Sequence, residues 1–275
     1  MAFIDTRDGT RLFVNDWGAG KPIVLIHGWP LSSGMWDYQA AYLASQGLRV
    51  VTYDRRGFGR SDQPWNGYGY DYDTLADDLA DVLDGLKLQN ATLVGFSMGG
   101  GEVVRYLHRH GPAKVARAAL VAAVTPYLLQ TPEHPDGAPA SLFEDMVSGL
   151  EADRPHFLAG FGKKFMGAGL LNFSVSSDYL QSLLTMALAG SQKATVDCVR
   201  AFGTTDFRAD MAALTMPTLI VHGTADETVP IDISGRVAAK MVPHAKFLEY
   251  QGAPHGLHFT EKDRLNADLL AFVTA

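Results

Sequence analysis

The sequence predicts an α/β fold in which a mostly parallel sheet is covered by helices on both faces. Short runs of strand length are apolar almost throughout, as is typical of strands that are buried on both sides. Between them lie segments that repeat apolar residues at helical spacing. Strands that alternate with helices along a chain form parallel sheets between two helical layers.

The elements follow one another with this rhythm over most of the chain. Residues 3–17 alternate around Asp8-Gly9, which predicts an antiparallel hairpin. Further strands are predicted at 22–28, 48–53, 91–96, 117–123, 217–223 and 246–250. Helices are predicted near 36–45, at about 72–86, directly after Ser97, at about 231–241 and at about 261–272. The sequence therefore predicts an eight-stranded sheet.

One segment interrupts the rhythm. From Thr125 to about residue 206 the sequence has helical patterning, scattered phenylalanines and no convincing strand, and prolines mark an irregular loop near its start. A chain of 275 residues suits one large core. We therefore predict a single domain, 1–275, with its core at 1–124 and 207–275 and a helical insertion at about 125–206.

The composition limits the classes of function. The chain is 47% hydrophobic and carries a net charge of −7 without a basic cluster, which argues against nucleic acid or a membrane as partner. It has no stretch of membrane-spanning length and no signal-peptide pattern, so we expect a cytoplasmic protein. The single cysteine, Cys198, excludes an internal disulfide and a thiolate-rich metal site, and we interpret it as a buried small hydrophobe.

The run at 91–96 ends in a motif that presents a serine. Gly95, Ser97 and Gly99 form the pattern G-x-S-x-G, a nucleophile elbow in which a sharp turn joins a strand to a helix. The motif alone is weak evidence because the chain is rich in glycine. Its context is favourable, since a buried strand precedes it and helical spacing follows it.

Chemically active residues also follow other predicted strands. Ligands bind beyond the carboxyl ends of parallel strands, so these residues converge on one edge of the sheet. A serine hydroxyl needs an imidazole to accept its proton, and the imidazole needs a carboxylate to fix its tautomer. Ser97, Asp226 and His255 supply the three groups, in the chain order associated with this elbow.

Other residues compete for these roles. His258 lies three residues after His255, but we interpret it as a structural histidine in the connection from the last strand to the last helix. Glu227 is one residue further from its strand than Asp226. Asp54 precedes two arginines and is interpreted as an ion-paired loop anchor. For His27 and His222, at strand ends before glycine, we prefer a buried, hydrogen-bonded role.

Attack on a carbonyl needs N–H groups that are aimed at the developing oxyanion. The amide of Met98, directly after the nucleophile, is one candidate, and the amide of Trp29, in the loop after the third strand, is the other. Pro30 has no N–H and restricts the backbone of Trp29.

The chain resembles the α/β-hydrolase superfamily, and within it the bacterial arylesterase and cofactor-free haloperoxidase (perhydrolase) group. The motifs that carry the resemblance span most of the sequence: Asp16-Trp17-Gly18, His27-Gly28-Trp29-Pro30, Asp54 to Asp62, Gly95 to Val103, Ala194 to Cys198, Thr205-Asp206-Phe207 and Ala253-Pro254-His255-Gly256. The resemblance implies the same triad and oxyanion donors, a helical cap formed by the insertion, and a homo-oligomer.

Two details refine the resemblance. Many relatives carry further aspartates before the acid, whereas this chain reads Gly223-Thr224-Ala225-Asp226 and leaves one aspartate in that turn. Group members with a proline after the tryptophan, as in Trp29-Pro30, resemble those that use hydrogen peroxide in place of water. The resemblance therefore implies a possible perhydrolase or haloperoxidase side activity.

The predicted function is that of a serine carboxylesterase acting on small or aryl esters, with no metal or other cofactor. An apolar acyl pocket would be lined by residues from the insertion and the loops, for which core packing is an equally good interpretation: Trp29, Val124, Phe143, Phe157, Phe161, Phe165, Phe202 and Thr228. Two alternatives stay open. The same triad could hydrolyse γ-lactams or amides, and the fold could serve a ligand-binding or signalling protein.

Overall fold

An eight-stranded sheet forms the centre of the computed structural model, which describes residues 2–66, 69–168 and 175–275. Its strands, in chain order, are β1 (Ala2–Asp5), β2 (Arg11–Trp17), β3 (Pro22–Ile26), β4 (Arg49–Tyr53), β5 (Ala91–Phe96), β6 (Val115–Val121), β7 (Thr218–Gly223) and β8 (Lys246–Tyr250). The spatial order is β1-β2-β4-β3-β5-β6-β7-β8. β2 runs antiparallel to β1 and β4, and the remaining strands pair in parallel in the order β4-β3-β5-β6-β7-β8. The predicted mostly parallel sheet is confirmed.

Helices cover both faces of this sheet. They are α1 (Asp37–Ser45), α2 (Tyr72–Gly85), α3 (Met98–His110), α4 (Ala140–Phe165), α5 (Ser177–Leu188), α6 (Gln192–Thr204), α7 (Gly235–Met241), α8 (Leu257–Thr260) and α9 (Lys262–Thr274). The connection from β3 to β4 and the connection from β4 to β5 run in opposite directions across the sheet. Because such crossovers are right-handed, α1 and α2 lie on opposite faces, and α9 packs with α1 while α3 packs with α2. Among the described residues no helix is long and apolar enough to cross a membrane.

The core is centred on β5 and β7, in which every residue is buried. Both strands have neighbours on each side and helices on each face, so their apolar side chains are removed from water in both directions. This burial explains why their sequences are mostly apolar rather than alternating between apolar and polar residues. The loops after these two strands are thereby held in fixed positions at one edge of the sheet.

The segment between β6 and β7 carries three helices, α4 to α6, and α4 packs against the other two. We call this group of helices the cap. α4 is kinked at Asp153, whose backbone is non-helical with φ −153° and ψ 84°, two residues before Pro155. Proline has no N–H for the preceding turn, which accounts for a break at this place. Residues 169–174, within the predicted insertion, lie outside the described residues.

One predicted helix is divided in the structure. Instead of a single helix at 231–241, a 3₁₀ turn spans Ile231–Ile233 and α7 begins at Gly235, with Ser234 in non-helical backbone between them. The reason is tertiary: a Cβ on Gly235 would lie 2.8 Å from Nδ1 of His222, so the chain passes directly over this ring. The hydrophobic periodicity of the sequence carries no information about this contact between Gly235 and His222.

Candidate active site

Ser97 occupies the sharp turn between β5 and α3. Its φ of 52° and ψ of −118° are rare for a residue with a side chain, and such strain is typical of a nucleophile elbow. The two motif glycines make the turn possible. A Cβ on Gly95 would lie 2.3 Å from the carbonyl oxygen of Gly99, and a Cβ on Gly99 would lie 2.6 Å from that of Ile26. The G-x-S-x-G pattern is therefore required by backbone approach.

The structure brings the three predicted triad residues together in a chain of hydrogen bonds. Ser97 Oγ lies 3.0 Å from Nε2 of His255, and Nδ1 of that ring lies 2.6 Å from Oδ2 of Asp226. An ionised carboxylate only accepts, so Nδ1–H donates to Asp226 and Nε2 accepts from the serine hydroxyl. His255 follows β8 and Asp226 follows β7, so the two loops meet the elbow at the same sheet edge.

The carboxylate of Asp226 accepts three hydrogen bonds and has a further ring nitrogen close by. Its Oδ1 accepts from the amides of Thr228, at 2.9 Å, and Val229, at 2.8 Å. Its Oδ2 accepts from His255 and lies 3.2 Å from Nε2 of His222. Burial disfavours the charged form, but the two histidines and their hydrogen bonds outweigh it and hold the pKa of Asp226 well below its usual range. The acid of the triad is ionised at neutral pH.

The two predicted oxyanion donors lie beside the serine. Among the described residues, neither the amide N–H of Trp29 nor that of Met98 has a protein acceptor. A Cβ on Gly28 would lie 2.6 Å from the ring of Phe96, so the loop that carries Trp29 runs directly against the elbow. The Trp29–Pro30 peptide is cis, and the indole Nε1–H of Trp29 donates to the carbonyl oxygen of Thr195 in the cap at 2.9 Å.

A cavity of about 590 Å³ opens above Ser97 between the sheet edge and the cap. All but one of the predicted pocket residues line it: Trp29, Val124, Phe143, Phe157, Phe161, Phe202 and Thr228. The exception is Phe165, for which the prediction is wrong. Its ring packs against the His255 ring, with 4.8 Å between the two centroids, although Lys164, the residue before it in α4, lines the cavity.

The profile of the family described as alpha/beta hydrolase fold matches residues 21–262. The chain belongs to the α/β-hydrolase family. It is 40% identical, over 99% of both chains, to a non-heme chloroperoxidase from Kitasatospora aureofaciens, and 40% identical, again over 99% of both, to a bifunctional esterase/perhydrolase from Acinetobacter calcoaceticus. The crystal structure of a bromoperoxidase from Bacillus anthracis has a TM-score of 0.96 at 44% identity and covers 100% of this chain, which covers 99% of that one.

These similarities confirm the resemblance to the haloperoxidase and esterase group of α/β-hydrolases. The protein is a hydrolase enzyme of the esterase-like kind. Sequence reasoning also missed part of the wall of this hydrolase's cavity, notably Leu128, Met146, Pro230 and Ile233. The last two could have been found, because they follow Asp226 within the loop that must reach the site.

A buried ion pair beneath the hydrolase site was also missed. The Arg55 guanidinium binds Glu102 of α3, and Tyr53 Oη–H donates to the same carboxylate at 2.8 Å. Arg55 also donates from Nη2 to the carbonyl oxygen of His27 at 2.6 Å, and its amide donates to Nε2 of that ring at 2.9 Å. Burial, with the nearby Arg55, lowers the pKa of His27 to about 3. This network ties the loop before Trp29 to the elbow helix.

The residues that compete with the triad have other partners in the hydrolase. The ring of His258 packs between Phe96 and Phe165, its Nε2 lies 3.4 Å from Tyr179 Oη, and burial, with the nearby His255, lowers its pKa to about 3. Asp54 accepts from Ser33 and Arg60, so it is an ion-paired loop anchor, but its cation is Arg60 and not the two arginines that follow it, which pair with Glu102 and Asp78. Glu227 is exposed at the cavity mouth. Among the described residues no cluster of three or more His, Cys, Asp or Glu side chains suits a metal ion.

Proposed function

We propose that this hydrolase is a serine carboxylesterase that cleaves small or aryl esters through an acyl-enzyme on Ser97. One observation carries the proposal: the Ser97–His255–Asp226 hydrogen-bond chain ends at the floor of an apolar cavity. The relatives named as esterase and esterase/perhydrolase support it.

The reaction has two halves. In the first, His255 Nε2 takes the proton as Ser97 Oγ attacks the ester carbonyl, and the amides of Trp29 and Met98 hold the oxyanion. His255 then returns the proton to the departing alcohol, which leaves an acyl ester on Ser97. In the second half, water gives its proton to His255 as it attacks the acyl carbonyl. The tetrahedral intermediate collapses, the proton passes back to Ser97 Oγ, and the acid departs.

Hydrogen peroxide is the second candidate nucleophile for the acyl-enzyme. It would give its proton to His255 as water does, and the product would be a peracid. The Trp29-Pro30 sequence and the similarity to an esterase/perhydrolase favour this side reaction. The test is the yield of peracid from a short ester at increasing peroxide concentration, for the wild type and for Pro30→Ala.

The main proposal is tested with p-nitrophenyl acetate, butyrate and benzoate. We expect Ser97→Ala to lower kcat by about a thousandfold or more, since the nucleophile is removed while the fold is kept. Ser182→Ala, an exposed serine on α5, is the matched control and should hydrolyse like the wild type. Equal rates for Ser97→Ala and wild type would contradict the proposal.

Two further measurements separate the alternatives. The turnover of a γ-lactam against that of an aryl ester at equal concentration distinguishes lactam or amide hydrolysis from ester hydrolysis. Tight binding with at most one covalent event per chain would instead favour a ligand-binding or signalling protein. Intact-mass analysis after reaction with a phosphonate ester shows how many adducts form, and peptide mapping should locate the adduct on Ser97.

A further inference from the structure

We propose that His222 is a positioning residue of the active site: its Nε2–H holds the Asp226 carboxylate in place and shares that carboxylate with His255. The inference rests on the proposed function, because it concerns the acid of the proposed triad. His222 lies in β7, four residues before Asp226, and its side chain is buried. Its Nε2 lies 3.2 Å from Oδ2 of Asp226 and 2.9 Å from the carbonyl oxygen of Val229.

The contacts determine which nitrogen of His222 carries the proton. A carbonyl oxygen and an ionised carboxylate only accept, so Nε2 carries the proton: it donates to the carbonyl oxygen of Val229, and the same N–H lies against Oδ2 of Asp226. Nδ1 is buried and has no hydrogen-bond partner among the described residues, and it faces Gly235, where a Cβ would lie only 2.8 Å away. A second N–H at this position would be buried without an acceptor, which is costly. The contacts of the His222 ring therefore place its directed N–H at Nε2.

This N–H closes the turn that shapes the acid. The amide of Val229 donates to Oδ1 of Asp226, and the carbonyl of Val229 accepts from His222. Both backbone groups of Val229 are thus hydrogen-bonded, the amide to the Asp226 carboxylate and the carbonyl to the His222 ring. Rotation of the carboxylate away from His255 would break its contact with His222 as well. The absence of a side chain at Gly235 is what lets α7 close over the ring and keep it there.

The shared oxygen has a consequence for the general base. Oδ2 of Asp226 accepts from His255 and also lies 3.2 Å from the Nε2–H of His222, so less of its charge is available to the imidazolium that His255 becomes during attack. Removal of the His222 N–H should therefore make His255 more basic. Among the described residues, the other polar groups facing His255 are Ser97 at the elbow and His258 of α8, whose pKa of about 3 keeps it neutral. On β8, Glu249 is the register neighbour of His222, and it is exposed and paired with Arg236.

Three substitutions separate positioning from simple packing. The side-chain nitrogen of glutamine is as many bonds from the backbone as Nε2 of histidine, whereas that of asparagine corresponds to Nδ1. His222→Gln should therefore keep the donor, and His222→Asn and His222→Leu should lose it. We expect kcat/KM for p-nitrophenyl acetate to fall by about tenfold to a hundredfold in the last two and to stay within about threefold in His222→Gln, as for loss of a hydrogen bond to a charged group.

The pH profile is the decisive measurement. In His222→Leu and His222→Asn the acid limb of kcat/KM should move to higher pH, while His222→Gln keeps the wild-type limb. A packing role would lower thermal stability without moving the limb. If His222→Leu does not fold, the comparison of His222→Gln with His222→Asn decides, again by the position of the acid limb of kcat/KM. An unchanged limb in the Asn variant, or equal losses in Gln and Asn, would overturn the inference.

The same assay includes Ser97→Ala. If the wild type hydrolyses the ester and Ser97→Ala does not, but the donor-free His222 variants keep the wild-type limb, only the role of His222 is refuted. If Ser97→Ala hydrolyses as fast as the wild type, the proposed function and the role of His222 are refuted together.

Discussion

The sheet edge and the cap form opposite walls of one cavity, but different forces hold them. At the sheet edge, Asp226 and His255 are fixed by directed hydrogen bonds in the turns that follow β7 and β8. On the cap side the cavity wall includes rings in edge-to-face contact, with 5.0 Å between the centroids of Phe161 and Trp29 and 5.6 Å between those of Phe202 and Trp29. Hydrogen bonds depend on direction and distance, whereas apolar contact depends mainly on buried area.

The cap is itself held by contacts of a less specific kind. The kinked α4 is tied to the end of α5 by Arg154, which donates to the carbonyl oxygens of Ala187 and Leu188 at 3.1 Å each. Such backbone contacts fix where the helices lie without prescribing the side chains that face the cavity. The difference teaches that reaction type should be sensitive to single atoms at the sheet edge, while substrate choice should change gradually with cap side chains.

The largest expected effect tests the sheet edge. Asp226→Asn should lower kcat for p-nitrophenyl acetate by about ten-thousandfold, because an amide neither carries the charge nor fixes the His255 tautomer. Steady-state kinetics check this, with the exposed Asp232→Asn as control. A loss of less than about tenfold would mean that another carboxylate serves the histidine.

The second effect concerns the ion pair under the elbow. Glu102→Gln should lower the free energy of unfolding by about 3 kcal/mol, because it leaves the buried Arg55 guanidinium without its counter-charge. Urea denaturation measures this. Glu151→Gln on the cap surface is the control, since Glu151 is exposed and its nearest cation, Arg200, lies 3.9 Å away. Equal free energies of unfolding for the two variants would contradict the prediction that the buried ion pair under the elbow contributes more to stability than an exposed carboxylate on the cap.

The third effect is a pH dependence of stability. Burial of Asp54 favours its neutral form, but hydrogen bonds from Arg60 and Ser33 outweigh it and lower the pKa of Asp54. A lowered pKa in the folded state gives stability that is present above the unfolded value of about 3.9 and lost as pH falls through the folded value. Asp54→Asn should therefore lower the free energy of unfolding by about 2 kcal/mol at pH 7, and by progressively less below about pH 4.

The control for this pH dependence lies on the cap. Asp145 of α4 is exposed, so Asp145→Asn should leave the stability profile unchanged at every pH. Urea unfolding of the three proteins from pH 7 down to pH 3 gives the comparison. If the free energies of unfolding of Asp54→Asn and wild type differ by a constant amount over this range, Asp54 does not have a lowered pKa in the folded protein, and the prediction is wrong.

The smallest effect tests the cap wall. Phe157→Ala should raise KM for p-nitrophenyl benzoate by about tenfold and change kcat little, because one ring contact with the substrate is lost while the triad is untouched. Phe3→Ala, a half-exposed ring on β1, removes the same group far from the cavity and serves as control. A fall in kcat with unchanged KM would show that the cap also acts on the chemical step.

Much of the site was predictable because it depends on local backbone. The elbow needs glycine at 95 and 99 for close approach, and the triad follows from strand ends that share one sheet edge. The residues that were missed act over long separations. Arg55 and Glu102 are 47 positions apart, and nothing in either segment indicates that they meet.

The sequence by itself determined the order of strands and helices, the sharp turn at Ser97 and the identity of the groups that collect at the sheet edge, because periodicity and turn geometry are local properties. Only the tertiary structure decided which side chains face the cavity. Phe157, Phe161 and Phe165 recur at helical spacing, yet the first two line the cavity while the ring of Phe165 packs against His255 instead. The direction in which a helix crosses its neighbours depends on packing between distant segments, and so does the closure of Gly235 over His222.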